Sequence, residues 1–324
     1  MKSFEYAAPK TTKEATALLS DKWGETEILA GGTDLVTSLK QQITTPKRVV
    51  SLKNISEIRG IKKQGNNLNI GAMTTLGELI ANADVQKNFP ALVTAVKNIA
   101  SPQILSMGTV GGDLCQRPRC WYFRNGLGVP GKKETASLVR EGDNRYHAIF
   151  GTEGDALFVN ASSLAPALVA LGAKMTIEGP KGKARTISAG DFFRAPKSEQ
   201  EREISIAANE ILTGISVPMN GLKNATYEVR HRYGLDWPYA TATVAFSDKN
   251  GSVSDARVVL GHVAATPWTA AAAAKALNGG RIDENAAAKC SDAAIEGAKP
   301  LSRNAYKVQL AKTAVKRAVL AAAA

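Results

Sequence analysis

Two glycine pairs constrain this chain more than any other feature. Leu29-Ala30-Gly31-Gly32-Thr33-Asp34-Leu35 and Ser106-Met107-Gly108-Thr109-Val110-Gly111-Gly112-Asp113-Leu114 each set adjacent glycines beside hydroxyl and carboxylate side chains. Glycine has no Cβ, so such a turn reaches φ > 0 and lets backbone N–H groups approach a ligand, where successive amides form a concavity for an anion. Either turn alone is most simply a tight connection between a strand and a helix. Two of them can hold a diphosphate between them.

The first turn sits in a small α/β unit. Thr12 to Leu19 has helical spacing, Glu27 to Ala30 reads as a buried strand, Leu35 to Gln42 as a helix opened by Asp34, and Arg48 to Leu52 as another strand. From Ile58 the pattern changes to a hairpin over Gly65-Asn66-Asn67, then to helices at Thr75 to Ala83, with Thr74 as cap, and at Ala91 to Ala100. Gln116 to Gly154 loses periodicity, and a loop this long is usually functional or mobile. Beyond it come a strand at Ala156 to Val159, a helix at Leu164 to Leu171, a hairpin from Lys174 to Ser188 and a strand from Glu210 to Pro218. Asn220-Gly221 is a natural boundary. After it, strands at Thr226 to Arg230, Ala240 to Phe246 and Ser252 to Gly261 precede helices at Thr269 to Leu277, Glu284 to Glu296 and Asn304 to Leu320, an α+β order. The expected domains are 1–219, with subdomains of about 1–57 and 58–219, and 220–324.

With 324 residues, 44% hydrophobic and 22% charged, the chain has enough apolar sequence for two or three folded units. No run approaches about 18 apolar residues and the first residues lack a signal-peptide core, so membrane insertion is not expected and the cytoplasm is the default. Cys115, Cys120 and Cys290 form no disulfide framework. The net charge of +12 is spread along the chain without a nucleic-acid motif, which reads as a solvated surface or a docking face for an acidic partner.

Other motifs fail on chemistry. Gly126-Leu127-Gly128-Val129-Pro130-Gly131-Lys132-Lys133 nearly matches a P-loop, but Lys133 stands where a magnesium-binding hydroxyl belongs. His147, His231 and His262 share no metal-ligand spacing, and neither a Gly-x-Ser-x-Gly elbow nor a Gly-x-Gly-x-x-Gly fingerprint is present. No catalytic residue and no metal ligand is assigned.

The two glycine stretches resemble the paired FAD loops of the flavin subunits of molybdenum hydroxylases, the medium subunits of the xanthine dehydrogenase, carbon monoxide dehydrogenase and aldehyde oxidoreductase types. Leu164 to Ala173, Glu210-Ile211-Leu212, Tyr227 to Arg232 and Gly261 to Trp268 extend the resemblance over the whole chain. It implies an α+β protein: a two-subdomain FAD-binding domain of the vanillyl-alcohol-oxidase type, then a small α+β domain. It implies FAD wrapped by Leu29, Ala30, Gly31, Gly32, Thr33, Asp34 and Leu35. Ser106, Thr109, Gly111, Gly112 and Asp113 would serve from the second loop, with Thr109, Gly112 and Asp113 on the diphosphate and flavin side. Ser163 stands where the family often has an Asp near the cofactor, and Leu212 where an apolar residue packs on adenine. The partners implied are a molybdopterin-binding large subunit and a small subunit with two-iron two-sulfur clusters, in a heterotrimer or a dimer of heterotrimers. Electrons would pass from those clusters through FAD to an outside acceptor.

Three departures from the family pattern stand out. Asp113 replaces a common Asn, which puts an acceptor-only anion near phosphates and should weaken binding unless cations compensate. Glu228 stands where several relatives place a Lys near the flavin ring. Gln116 to Arg124 resembles the start of a loop that binds a four-iron cluster in some branches, but only Cys115 and Cys120 remain where four thiolates are needed. These departures keep a flavin-free assembly subunit as an alternative. A free-standing flavin oxidase is weaker, since the last third shows no substrate-transforming cluster.

Overall fold

The computed structural model describes residues 1–324 except 100, 134, 135, 199 and 233–235. The first sheet is parallel: β1 (Glu5–Ala7) and β2 (Thr26–Leu29) flank β3 (Arg48–Ser51). The helices Thr12–Ala17 and Leu35–Lys40 make the crossovers, and Ala15, Val50, Leu52 and Ile55 form a small core with Ile211. The second sheet is antiparallel and draws on distant sequence. In it β4 (Ile61–Gln64) pairs with β5 (Asn67–Gly71), and a short hairpin of β6 (Lys132–Lys133) and β7 (Ala136–Ser137) stands apart from it. The sheet continues through β10 (Ile211–Pro218) to β8 (Lys174–Glu178) and β9 (Ala184–Ser188). A bulge between Leu212 and Gly214 interrupts β10, and bulges locally re-aim side chains.

Helices Leu76–Ala81, Pro90–Lys97 and Leu164–Ala170 cover this sheet, and Leu92, Val96, Leu164, Leu168, Met175 and Ile215 fill the space between. The cap of the first of these helices is Thr75, which makes a reciprocal capping box with Glu78. Thr74, expected in that role, instead sends its hydroxyl to the Gly60 carbonyl at 3.0 Å and its own carbonyl to the second glycine turn. The helix predicted over 91–100 runs Pro90–Lys97, and residue 100 lies outside the described residues.

The last third is an antiparallel sheet of β11 (Lys223–Val229), β12 (Ala240–Lys249), β13 (Ser252–Gly261) and the short β14 (Trp268–Thr269). Helices Ala271–Leu277, Glu284–Ala294 and Tyr306–Ala323 pack on one face through small residues such as Ala273, Ala287, Ala311 and Ala318. The other face meets the helices at 90–97 and 164–170, and Asn224 ties the join by accepting the Ala91 N–H at 3.0 Å and donating to the Asn88 carbonyl. The stretch from Ala156 to Val159 is not a strand. Ala156, Leu157 and Phe158 are buried in an irregular segment whose ladder bonds are replaced by contacts such as Ala148 N–H to the Leu157 carbonyl at 2.8 Å.

Candidate functional site

The first turn leaves β2 through Gly32, whose φ of +84° only glycine adopts without strain. The N–H groups of Thr33, Asp34 and Leu35 then have no acceptor among the described residues. Asp34 does not cap the helix it precedes. Its carboxylate turns outward to pair with Arg119 at 3.2 Å and Arg124 at 2.9 Å, and it accepts the Arg117 N–H at 3.0 Å. Asp34 therefore anchors the loop after the second glycine stretch onto the first turn.

The second turn is built differently. Its amides are engaged: Val110 N–H to the Thr74 carbonyl at 2.9 Å, Gly111 to Ala72 at 2.8 Å, Gly112 to the Thr109 hydroxyl at 3.1 Å and Asp113 to the Thr109 carbonyl at 2.9 Å. What it offers is closeness. A Cβ on Gly111 would lie 2.9 Å from Ala72, and one on Gly31 would lie 1.9 Å from the Met107 carbonyl oxygen, so these two glycines let the stretches abut. A Cβ on Gly112 would touch only Thr109 Oγ1 at 2.9 Å and Ala30 at 3.9 Å.

Two cavities meet at these turns. The larger, of about 450 Å³, runs from the turns to an apolar end at Ile28, Leu52, Ile211 and Leu212. The smaller, of about 250 Å³, lies on the other side among Leu76, Ile104, Ser163, Arg230 and Trp237. Thr33, Asp34, Thr109, Gly112 and Gln116 border both, so the two cavities share a wall at the turns. Of the residues predicted from sequence, Ala30 to Leu35, Gly111 and Leu212 line the larger cavity, and Asp113 and Ser163 the smaller. Leu29 packs under the turn, its Cδ1 3.3 Å from where a Gly32 Cβ would stand. Ser106 is exposed and donates to the Gln103 carbonyl at 3.0 Å, outside the walls of both cavities.

Asp113 is buried, and its carboxylate accepts from the Ser162 hydroxyl and from Gln116 Nε2 at 3.0 Å. Burial raises its pKa to about 6 against the hydrogen bonds from Ser162 and the Leu164 N–H. The charge is held by the segment at 162–164. Glu228 is also buried, and burial raises its pKa while Arg230, Ser163 and Asn98 oppose that. Its partner Arg230 lines the smaller cavity and also donates to the Asn98 and Asp236 carbonyls. A cation therefore stands at this wall, two residues after the position where sequence comparison suggested one was lost. Sequence reasoning passed over Arg230 and the anchor arginines 117, 119 and 124; the dense Arg spacing just after the second glycine stretch was the available signal.

Residues 2–220 match the family of FAD-binding domains in molybdopterin dehydrogenases, and residues 225–322 the carbon monoxide dehydrogenase flavoprotein C-terminal domain. The carbon monoxide dehydrogenase medium chain of Hydrogenophaga pseudoflava is 32% identical, over 98% of this chain and 96% of its own. The aldehyde oxidoreductase FAD-binding subunit PaoB of Escherichia coli (strain K12) is 30% identical over 96% of both chains. The solved Hydrogenophaga pseudoflava carbon monoxide dehydrogenase lacking the Mo-pyranopterin moiety superimposes with a TM-score of 0.77, covering 99% of this chain and 97% of that one at 31% identity. A flavoprotein built from two sheets with a groove at paired glycine turns is the class this geometry defines. The chain belongs to the FAD-binding medium subunits of the molybdenum hydroxylase family.

The residues present fit FAD. Amides at 33–35 without an acceptor among the described residues border a junction where glycines leave room for phosphates, the larger cavity has apolar side chains suited to adenine, and the smaller one combines Trp237, Leu76 and Ile104 with the charged Asp113, Arg119 and Arg230.

Proposed function

We propose that this subunit is an electron relay, taking electrons from iron–sulfur clusters of a small subunit and passing them through FAD to an external acceptor. The observation that carries it is the pair of cavities that lie on either side of the two glycine turns and share residues of both. In this reading Ala30 to Leu35 hold the diphosphate through the amides at 33–35, and Thr109, Gly111 and Gly112 close the other side. Leu212 packs on adenine, while Asp113 and Ser163 shape the ring side. Leu29 supports the first turn from behind, and Ser106 has no part in holding the cofactor. Arg230, ion-paired with Glu228, stands on the ring side. Bound FAD supplies the exchange between one- and two-electron carriers, and the chain supplies position and electrostatics.

The buried carboxylate of Asp113 is bonded away by Ser162 and that of Glu228 is paired with Arg230, so two of the three departures behind a flavin-free subunit lose their force. The partners in this reading are a molybdopterin-binding large subunit and an iron–sulfur small subunit, and the compartment is the cytoplasm. No helix among the described residues is long and apolar enough to cross a membrane. The domain limits of 1–219, with subdomains meeting near 57, and 220–324 accord with the separate sheets and with the family matches. We read the loop at 116–154 as free of a four-iron cluster. Cys120 within it and Cys115 just before it line different cavities, and burial pushes the Cys115 thiol up to about 12, away from the thiolate a cluster requires.

Purification of the complex from co-expressed subunits tests the proposal. One non-covalent FAD per chain, bleached by substrate of the large subunit, is the expected result; a colourless chain in an intact complex would overturn it.

A further inference from the structure

Asp113 carries a carboxyl group into the second glycine turn at a position that also lines the smaller cavity, on the ring side. It is buried, and the contacts around it suit both of its protonation states. Oδ1 accepts Gln116 Nε2 at 3.0 Å, and Oδ2 accepts the Ser162 hydroxyl. The Ser162 oxygen in turn accepts the Ala165 N–H at 3.0 Å, which holds it in place however its own proton is turned. A hydroxyl donates to a carboxylate and accepts from a carboxylic acid, so the Ser162 contact outlasts a proton on Oδ2 by reversing its direction. Burial raises the carboxyl to about 6, which brings both states within reach near neutral pH.

The charges that face Asp113 come from several elements. Arg119, in the segment after the turn, draws its pKa down, while the neighbouring Cys115 is a neutral thiol pushed up to about 12 by burial. On the first turn Asp34 pairs with Arg119 and Arg124. Across the cavity Glu228 pairs with Arg230, and Asp236 with Arg232. The helix Leu164–Ala170 and strand β10, which pack on the turn, bring no charge. Arg119 and Arg124 therefore balance Asp34 and an ionised Asp113, and the two remaining pairs balance themselves. A flavin ring that has taken two electrons and one proton adds one negative charge to this neutral set.

We propose that Asp113 is a redox-linked proton site, whose carboxylate takes a proton from solvent when the flavin is reduced and releases it when the flavin is reoxidised. The proposal rests on the relay reading and gives the exchange of a common Asn for Asp113 a function. On reduction, two electrons from the small subunit's clusters and one proton go to the ring, and a second proton forms an O–H bond on Asp113 Oδ2. On reoxidation both electrons pass to the acceptor and both protons return to solvent. Asp113 acts through its charge and needs no contact with the ring. At an effective dielectric of about 20, two like unit charges about 12 Å apart change each other's proton affinity about tenfold. The coupling is reciprocal, so the proton on Asp113 favours the reduced ring by the same factor.

The test measures the flavin midpoint potential of the FAD-loaded complex from pH 5 to 8, for the parent and for Asp113→Asn, with FAD content read separately by absorbance. At the acid end Asp113 is neutral in both redox states, and at the alkaline end its charge opposes the reduced ring and lowers the parent's potential. A tenfold change in proton affinity is about 30 mV for a two-electron couple, so the gap between the two proteins should widen by about 30 mV from acid to alkaline. A second measurement needs no variant: between the oxidised-state and reduced-state pKa values, the reduced-minus-oxidised infrared spectrum of the unaltered complex should gain a carboxylic-acid band and lose a carboxylate band. FAD missing from the unaltered complex would strike the relay reading itself. With FAD bound, a potential gap that does not change with pH, or no carboxylic-acid band on reduction, would overturn the proton site.

Discussion

In the first glycine turn the N–H groups of Thr33, Asp34 and Leu35 have no acceptor among the described residues, whereas in the second those of Val110 to Asp113 are all satisfied by protein oxygens. One turn presents amides and the other presents a surface without side chains. The same dipeptide, Gly-Gly, thus meets two requirements: Gly32 supplies a left-handed φ, while Gly31 and Gly111 supply close approach. Anion binding by this pair is correspondingly one-sided, with the first turn furnishing donors and the second furnishing room.

That asymmetry can be broken at its tightest point. A Cβ on Gly31 would collide with backbone at Met107, which cannot rotate away as a side chain can. Gly31→Val should separate the two turns, lowering stability by about 4 kcal/mol or more and abolishing FAD binding. Urea unfolding and flavin content read the two losses, and they should fall together. Gly112→Val separates them instead. Its added methyls face the groove near Thr109 and Ala30, so FAD affinity should drop at least about tenfold, close to 1.4 kcal/mol, with the unfolding midpoint little changed. If Gly112→Val kept full flavin, the second turn would not border the diphosphate.

Much of this organisation was legible because local signals agreed. Alternation and turn chemistry marked β4 and β5, helical spacing marked 164–170, and the strands and helices after 220 came in the order observed. The misses have particular causes. Ala156 to Val159 is as apolar as a strand, but its backbone finds partners in a loop, which periodicity cannot reveal. Asp34 sits where a cap belongs, yet three arginines brought by a distant segment compete for it and win. Pairings of that range leave no trace in composition or period.

Asp34 sharpens the comparison from the outside. Asp34→Asn keeps an acceptor for the Arg117 N–H but removes the charge that holds Arg119 and Arg124 against the first turn. The pair is partly exposed, so the expected loss is about 1–2 kcal/mol, with FAD affinity reduced about threefold through a looser turn. Limited trypsin digestion checks it directly, since cleavage after Arg119 and Arg124 should quicken about tenfold. Unchanged cleavage would mean that the loop is held by other contacts.

The smallest effect on flavin is expected at Asp113, although its sequence position suggested weakened binding. Its carboxylate is engaged by Ser162 and the Leu164 N–H, so Asp113→Asn, which preserves an acceptor, should alter FAD affinity by less than about twofold. Stability should respond through pH instead. The folded pKa of about 6 lies above the ordinary value of 3.8, so the group's stabilising contribution is complete below 3.8 and is lost as pH rises through 6. Asn carries no such penalty. The stability of Asp113→Asn relative to the parent chain should therefore rise between pH 4 and 6 and level off, on the order of 2 kcal/mol higher, above that. The buried histidines oppose this trend in both proteins: His147 and His262, lowered to about 4 and 3, lose stability as pH falls from 6.5 toward those values, and they cancel in the difference. Chemical unfolding of the two proteins from pH 4 to 8 reads the gap. A gap independent of pH would show that Asp113 is not ionised in a buried site, and a tenfold fall in FAD affinity would return it to the diphosphate.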